Sequence, residues 1–375
     1  MKTKTDSRNR YVVILAGGRG ERFWPVSRIN RPKQLLTLLG KRSFLQEAVD
    51  HVRPLVPRSN LLIITNDLQK AAVRRQLPEL PPENLISEPC GRDTCAAVTL
   101  GAAVVGARST TAVMAFLPAD HVIPEPRKFQ QVLKDCFDLA GRGQVIVTIG
   151  IKPTEPATGY GYVQVGPALP PPRGAASYQT QFFKAERFVE KPPYEKAVEY
   201  LDSGSYRWNA GMFICSFVTI TEGLAKHQPE MAEACQRWFR AAGTPRLAKL
   251  LADDYPRLKR VSLDYALIEH AQNVAVAAGD FAWDDLGSWS ALARHLKADA
   301  EGNCAVGDVL HVDAARNLVY DARTKQRTLV TLVGLRDAIV VLADDAILVA
   351  HKSQAQKVKE LVNRLAASKE RQGLL

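Results

Sequence analysis

Residues 12–34 read VVILAGGRGERFWPVSRINRPKQ, and they hold the densest chemistry in the chain. Gly17, Gly18 and Gly20 follow an apolar run, and Arg19, Arg22, Arg28 and Lys33 surround them. Glycine lets a backbone turn sharply and bring its N–H groups against a ligand. Four cations around such a turn suit a polyphosphate. The P-loop pattern GxxxxGK[ST] is missing, and a dinucleotide fingerprint starting at Gly18 and Gly20 meets Phe23 at its last glycine position. An ordinary P-loop kinase or GTPase and a Rossmann dehydrogenase are therefore disfavoured. A glycine turn with solvated arginines would explain the glycines alone; Arg22 and the triplet Pro32, Lys33, Gln34 move the reading to function.

Carboxylates for a metal come from two distant places. LPADHV at 117–122 follows an apolar run and carries Asp120 and His121; WDDLGSW at 283–289 carries Asp284 and Asp285. Mg²⁺ takes hard oxygen ligands, often one or two carboxylates plus substrate phosphates. The lesser alternative is that Asp120 merely caps the following turn, and His121 suits a hydrogen-bonding neighbour better than a ligand. FVEKP ends in Glu190, Lys191 and a proline, which by itself reads as a strand end with a solvated ion pair.

The elements that must bring these together alternate in type. A strand at 12–15, a helix near 43–52, a strand at 61–65 and a helix over 67–77 come first. A strand at 85–87, a small-residue helix over 95–107, a strand at 113–117, a helix over 128–140 and a strand at 145–150 follow. Such alternation argues for an α/β architecture with a parallel sheet covered by helices, whose ligands gather at the carboxyl ends of the strands. From residue 158 TGYGYVQV, FFKAERFVE and WNAGMFICSF read as strands, with a Pro/Gly/Ala-rich exposed loop at 166–177 and helices over roughly 219–240. After Lys297, short strands separated by Asp- and Gly-containing turns predict a small β-rich domain over 298–375, distinct from a catalytic domain over 1–297. It ends in a helix from about Gln354, capped by Ser353 with Gln356 and apolar at Val358, Leu361, Val362 and Leu365. No internal repeat is evident.

Composition bounds the rest. The chain has 375 residues, 46% hydrophobic and 24% charged, with a net charge of +11, which is ordinary for a globular protein. The basic residues are dispersed, so anionic small substrates explain the charge better than nucleic acid. Six cysteines form no CxxC pair and read as buried free thiols in a reducing cytoplasm. The N-terminal MKTKTDSRNR has no apolar signal core, and the stretch 329–350 is broken by Arg336, Asp337, Asp344 and Asp345, so no membrane association is expected.

LAGGxGxR(L/F)WPxSR…PKQ resembles the signature of the sugar nucleotidyltransferases, and its WPxSR and PKQ details are similar to those of mannose-1-phosphate guanylyltransferases (GDP-mannose pyrophosphorylases). Further motifs in the same order carry the resemblance across most of 12–308. It implies the nucleotide-diphospho-sugar transferase fold, a Rossmann-like mixed, mainly parallel sheet flanked by helices. It also implies GTP and mannose 1-phosphate as substrates, GDP-mannose and pyrophosphate as products, and Mg²⁺ or another hard divalent cation as cofactor. A homodimer built with help from the C-terminal domain is implied as well. By the same resemblance Leu15, Ala16, Gly17, Gly18 and Gly20 cradle the nucleotide, Arg22 and Lys33 hold its phosphates, and Asp120 and Asp285 hold the metal. Lys191 would grip the sugar phosphate, and Glu190 would accept from sugar hydroxyls.

SEPCGRDT at 87–94 resembles the family's EPxGRNT, with Asp93 in place of asparagine. Guanine presents two N–H donors on one edge, so the Glu88 carboxylate and the backbone at Gly91 are the expected base readers. Gly159, Tyr160 and Gly161 of TGYGY and Asn209 of WNAGM are expected at the sugar. Asp264 and Glu269 of SLDYALIEH are candidate wall residues, although a capped surface helix explains them as well. Glu21, where the family commonly has threonine, is expected to point away from the phosphates. The alternatives are another sugar 1-phosphate or nucleotide, and a non-catalytic sugar-nucleotide sensor on the same fold. The chain ends before a cupin-type isomerase domain would fit, so isomerase activity is not expected.

Overall fold

The protein is described by a computed structural model covering residues 7–172, 177–325 and 328–375. The N-terminal residues read for a signal peptide lie outside it up to residue 6, as do 173–176 of the Pro/Gly/Ala-rich loop.

Four strands, β1 (Arg10–Leu15), β2 (Leu61–Asn66), β3 (Leu85–Glu88) and β4 (Val113–Pro118), lie side by side in the order β3-β2-β1-β4, all parallel. Val12, Val13 and Ile14 are fully buried, as a strand with helices on both faces requires. Those helices are α1 (Phe44–Val52), α2 (Asp67–Gln76), α3 (Asp93–Arg108) and α4 (Pro126–Arg142). α1 begins with a capping box: the Ser43 hydroxyl accepts from Gln46 N at 3.2 Å, and the Gln46 side chain accepts from Ser43 N at 3.1 Å.

The sheet continues with β5 (Ile146–Ile151), β6 (Gly161–Ala168), β7 (Phe182–Glu190), β8 (Tyr206–Ser216) and β9 (Val274–Gly279). Its full order is β3-β2-β1-β4-β8-β5-β9-β7-β6. β8 runs antiparallel to both β4 and β5, and β6 and β7 are antiparallel to each other, so the sheet is mixed. Alternation along the first 150 residues does not reveal this, because the separating strand arrives some 60 residues later in sequence. Helices α5 (Tyr194–Ser203), α6 (Phe217–His227), α7 (Pro229–Ala241) and α8 (Arg246–Asp254) cover the second half, followed by the short α9 (Trp289–Ala293). Of these, α5, α8 and α9, like the strand β9, were not apparent from the sequence.

The remaining strands are β10 (Cys304–Val306), β11 (Val309–Val312), β12 (Leu318–Asp321), β13 (Val330–Val333), β14 (Ala338–Leu342) and β15 (Ile347–His351). β10, β12 and β14 stack in parallel, β11 and β13 stack in parallel beside them, and β15 closes the first sheet antiparallel. This is a coil with a repeat that residue identities hide. Val309 pairs with Val330 and Leu318 with Ile339 at the same offset, and left-handed residues (Asp313, Arg316, Asp337) mark the corners. The last helix, α10 (Val358–Ala367), starts later than the sequence suggests. A 3₁₀ stretch, Lys352–Lys357, precedes it, and the expected Ser353–Gln356 capping box does not form. The Ser353 hydroxyl lies 2.8 Å from His351 Nδ1 instead, so it is engaged before it can reach a helix N–H.

The β-rich part does not stand apart. Phe23, Trp24, Leu36, Leu38 and Phe44 share one buried cluster with Trp289, Leu318, Tyr320, Ile339, Val341, Val358, Val362 and Leu365. The residues that follow the glycine turn are therefore packed on the C-terminal coil and its helix.

Candidate active site

The glycine turn leaves β1, Glu88 ends β3, and Asp120 lies two residues past β4, so a parallel sheet delivers all three to one edge. A cleft of about 1200 Å³ opens there.

At its centre stands Lys33, whose side chain is only 5% exposed. Its Nζ donates to Asp120 Oδ2 at 3.0 Å and to the Asp285 carbonyl at 2.5 Å. One buried ammonium thus ties together loops from opposite ends of the sequence, at the cleft both aspartates line. A backbone bridge reinforces the junction: Val122 N donates to the Asp284 carbonyl at 2.9 Å and Asp284 N to the Val122 carbonyl at 3.1 Å. Burial pushes the Asp120 carboxyl up, but Lys33 and His121 outweigh it and hold it below the usual carboxylate range. Asp120 stays 36% exposed toward the cleft.

The two neighbouring aspartates at 284 and 285 divide their work. Asp284 is turned inward onto Arg294 (2.8 Å), His295 (2.9 Å) and Leu286 N (2.8 Å). Asp285 faces the cleft and accepts from the Tyr160 hydroxyl at 3.1 Å. Leu286 adopts a left-handed φ of 47° beside it, a costly geometry that the Asp284 network holds in place. Burial, and then Asp285 and Asp284, raise the Tyr160 phenol well above its ordinary range. His121 is a structural neighbour: its Nδ1 accepts from Trp283 Nε1 at 3.1 Å, and burial lowers its pKa.

Behind the glycine turn lies a layer the sequence did not disclose. Gln34 Nε2 donates to the Ala16 carbonyl at 2.8 Å, the Gly18 carbonyl at 3.0 Å and Gln69 Oε1 at 3.0 Å. Ala16 is buried and supports the loop through this bond, whereas Leu15, Gly17, Gly18 and Gly20 line the cleft. Two glycines have steric causes. A Cβ at Gly17 would sit 2.8 Å from Glu88 Oε2, and Gly20 has φ 61° with Lys33 pressed against it.

Glu88 is 5% exposed and accepts from the Tyr255 hydroxyl at 2.5 Å. Burial pushes its carboxyl up to about 7, against the opposing Tyr255 hydrogen bond and with a further push from Asp93. Gly91 is open to the cleft. Asp93 has φ 67°; Asn and Asp are the non-glycine residues most tolerant of that region, so the departure at this position keeps the backbone geometry.

On the opposite wall Gly159, Tyr160, Gly161, Glu190, Asn209 and Asp264 line the cleft. Asn209 donates to Asp264 Oδ1 at 2.7 Å and accepts from the Thr148 hydroxyl at 2.8 Å. Burial, then Glu190, push the Asp264 carboxyl up to about 6. A Cβ at Gly161 would meet Glu190 Oε2, so glycine leaves room for that carboxylate.

Residues 11–302 match the family described as Nucleotidyl transferase, and residues 307–365 match the MannoseP isomerase/GMP-like beta-helix domain. The chain belongs to the nucleotidyl transferase family. It is 36% identical over 359 residues to the xanthan biosynthesis protein XanB of Xanthomonas campestris pv. campestris, covering 95% of this chain and 73% of that one. It is 36% identical over 363 residues to the mannose-1-phosphate guanylyltransferase of Escherichia coli K12, with the same coverage of 95% and 73%. A solved structure from Thermus thermophilus, described as a mannose-1-phosphate geranyltransferase, superposes with a TM-score of 0.81 at 35% identity, covering 96% of this chain and 99% of that one. The nucleotide-diphospho-sugar transferase fold implied by the signature is thus shown, as is the enzyme class.

Some expected residues stand elsewhere. Arg28 does not line the cleft; its guanidinium bonds to the Pro25 and Ser27 carbonyls and to Asp345 at 2.6 Å, so it anchors the turn to the C-terminal coil. Lys191, with φ 48° and a side chain 59% exposed, pairs with Glu190 and is not part of the cleft wall. Glu269 is exposed away from the wall; its backbone N–H donates to the Asp264 carbonyl at 3.0 Å, closing a π-helical turn whose Ala266, Leu267 and Ile268 are buried. Glu21 is among the residues that line the cleft, with its carboxylate 3.7 Å from Arg19. Arg19 and Arg22 both line the cleft. All six cysteines are free thiols, and five are buried. Among the described residues no helix is long and apolar enough to cross a membrane.

Proposed function

We propose that this chain transfers GMP from GTP to α-D-mannose 1-phosphate, giving GDP-mannose and pyrophosphate. The observation that carries the reading is the Lys33 bridge, which sets Asp120 and Asp285 between a glycine-lined wall and a polar wall of one cleft. The name of the Escherichia coli relative supports the substrate assignment.

A sugar-phosphate oxygen attacks the α-phosphorus in line, that P–O bond forms, and the bond to pyrophosphate breaks. The nucleophile is already anionic near pH 7, so no protein base is needed. The obstacle is charge: one unit-charge pair about 4 Å apart costs roughly 4 kcal/mol at an effective dielectric near 20. Catalysis is therefore positioning and neutralisation. Lys33 uses two of its N–H donors on Asp120 and Asp285 and keeps a third for a phosphate oxygen. Arg19 and Arg22 supply charge at the glycine end, and Lys191, exposed beside the cleft-lining Glu190, is the cation assigned to the sugar phosphate. Asp120 and Asp285 are two hard carboxylates on one cleft, the donor set that suits Mg²⁺ with substrate phosphates completing its shell. The ion would bind there and neutralise phosphate charge.

Glu88 and the Gly91 backbone are assigned to guanine, and Gly159, Tyr160, Gly161, Glu190 and Asn209 to the sugar. Cytoplasmic location, supported by the free thiols, and a homodimer complete the proposal; sedimentation tests the dimer. The deciding experiment measures pyrophosphate release with each NTP against several sugar 1-phosphates. Release with GTP and mannose 1-phosphate above all other pairs is expected. GDP-mannose binding without release would mark a sensor instead, and preference for another pair would overturn the substrates.

A further inference from the structure

The C-terminal helix reaches the catalytic cleft, and nothing in the chemistry above uses it. α10 buries Val358, Val362 and Leu365 in the cluster that also holds Phe23 and Trp24, and it packs against the turn at 21–23. Trp24 Nε1 donates to the Leu374 carbonyl at 2.9 Å, and Arg28 holds Asp345 at 2.6 Å, so the coil and helix are tied to the glycine turn from both sides. With those three apolar residues facing inward, the helix cannot rotate. Lys359 and Asn363, one turn apart on one face, are thereby fixed as part of the cleft wall, with Arg22, Phe23 and Ile29.

Lys359 is exposed, and it has no ion-pair or hydrogen-bond partner among the described residues. Arg22 in the same wall is also exposed. The nearby carboxylate of Glu21 faces Arg19. Two cations without a protein counter-charge at the glycine end of a cleft leave a positive concavity that only a bound anion neutralises.

We propose that Lys359 is a phosphate-binding residue delivered by the C-terminal domain, which contacts the β- and γ-phosphates of the nucleotide and the pyrophosphate they become. This rests on the nucleotidyltransfer reading above. It gives the β-helix a part in substrate binding: the domain completes the phosphate site rather than only bracing it.

The test titrates magnesium pyrophosphate into the full chain by calorimetry, comparing wild type, Lys359→Met and Lys359→Arg, with KM measured for GTP and for mannose 1-phosphate. In Lys359→Met the pyrophosphate Kd and the KM for GTP are expected to rise roughly three- to tenfold, the size of one partly solvated charge contact. Lys359→Arg should restore both, the KM for mannose 1-phosphate should stay constant, and the difference should shrink at about 0.5 M salt. Equal pyrophosphate affinity in wild type and Lys359→Met overturns the proposal, as does an equal loss for both substrates. Because Lys359 is exposed, an unchanged thermal melt is expected to show that the variant folds. If pyrophosphate affinity depends on Lys359 but wild type forms no sugar nucleotide from GTP, the phosphate site stands and the substrate reading falls.

Discussion

Replacing Glu88 by glutamine tests base recognition and electrostatics together. The carboxylate is almost fully buried, one oxygen taken by Tyr255 at 2.5 Å and the other toward Gly17. Its pKa stands at about 7 in the folded chain against an ordinary 4.5, with burial the leading cause. The folded state therefore holds a proton that the unfolded chain has released between those two values. This group's contribution to stability is greatest below about pH 4.5 and is lost as pH rises through 7, by about 3 kcal/mol in total. Urea melts at a series of pH values should show that slope in wild type and a flatter one in Glu88→Gln. Guanine's two N–H donors need the ionised form, so GTP binding near pH 6.5 should release a proton, measurable by calorimetry in buffers of different ionisation heat. Glutamine keeps one acceptor and turns an N–H group toward guanine's donors. Losing a charge-assisted bond costs about 1.5–3 kcal/mol, or roughly 10–150-fold in GTP-over-ATP selectivity by kcat/KM. Unchanged selectivity in Glu88→Gln would refute the assignment to guanine. An identical pH slope in both proteins would refute the account of the buried carboxylate.

Lys33→Met should cut kcat/KM by about a hundredfold or more, since it removes a charged hydrogen bond to each aspartate loop. Circular dichroism melts should move little, because Asp120 is 36% exposed and can hydrate once unpaired. Gln34→Leu removes the donor to the Ala16 and Gly18 carbonyls and should lower unfolding free energy by roughly 1–3 kcal/mol in urea, with KM for GTP raised. Asp264→Asn removes a carboxyl raised to about 6 by burial and Glu190; wild-type stability should fall as pH rises from about 4 to 6, and the variant's should fall less steeply, keeping only the Glu88 share of that slope. Tyr160→Phe should lower kcat several-fold with less effect on KM for GTP, as the hydroxyl that orients Asp285 is lost.

The glycine turn, the PKQ triplet and the carboxylate motifs were legible because they are local: a few residues of fixed type at fixed spacing. Gln34 stands within one of those motifs, yet its reach to the Ala16 and Gly18 carbonyls and to Gln69 needed the folded loop. Arg28 looks identical in kind to Arg22, and only packing against Asp345 separates them. The coil repeat is hidden in the sequence because it is kept by backbone register and corner conformation, which many residue types satisfy.

The sequence by itself determined an alternating α/β chain, a glycine turn set among cations and a β-rich end, since hydrophobic period and glycine placement act over short stretches. Only the tertiary structure decided that one buried lysine joins aspartates 165 positions apart, and that the C-terminal helix walls the cleft beside the first turn of the chain. Those facts depend on which buried surfaces meet, and the meeting of surfaces is a property of the whole core.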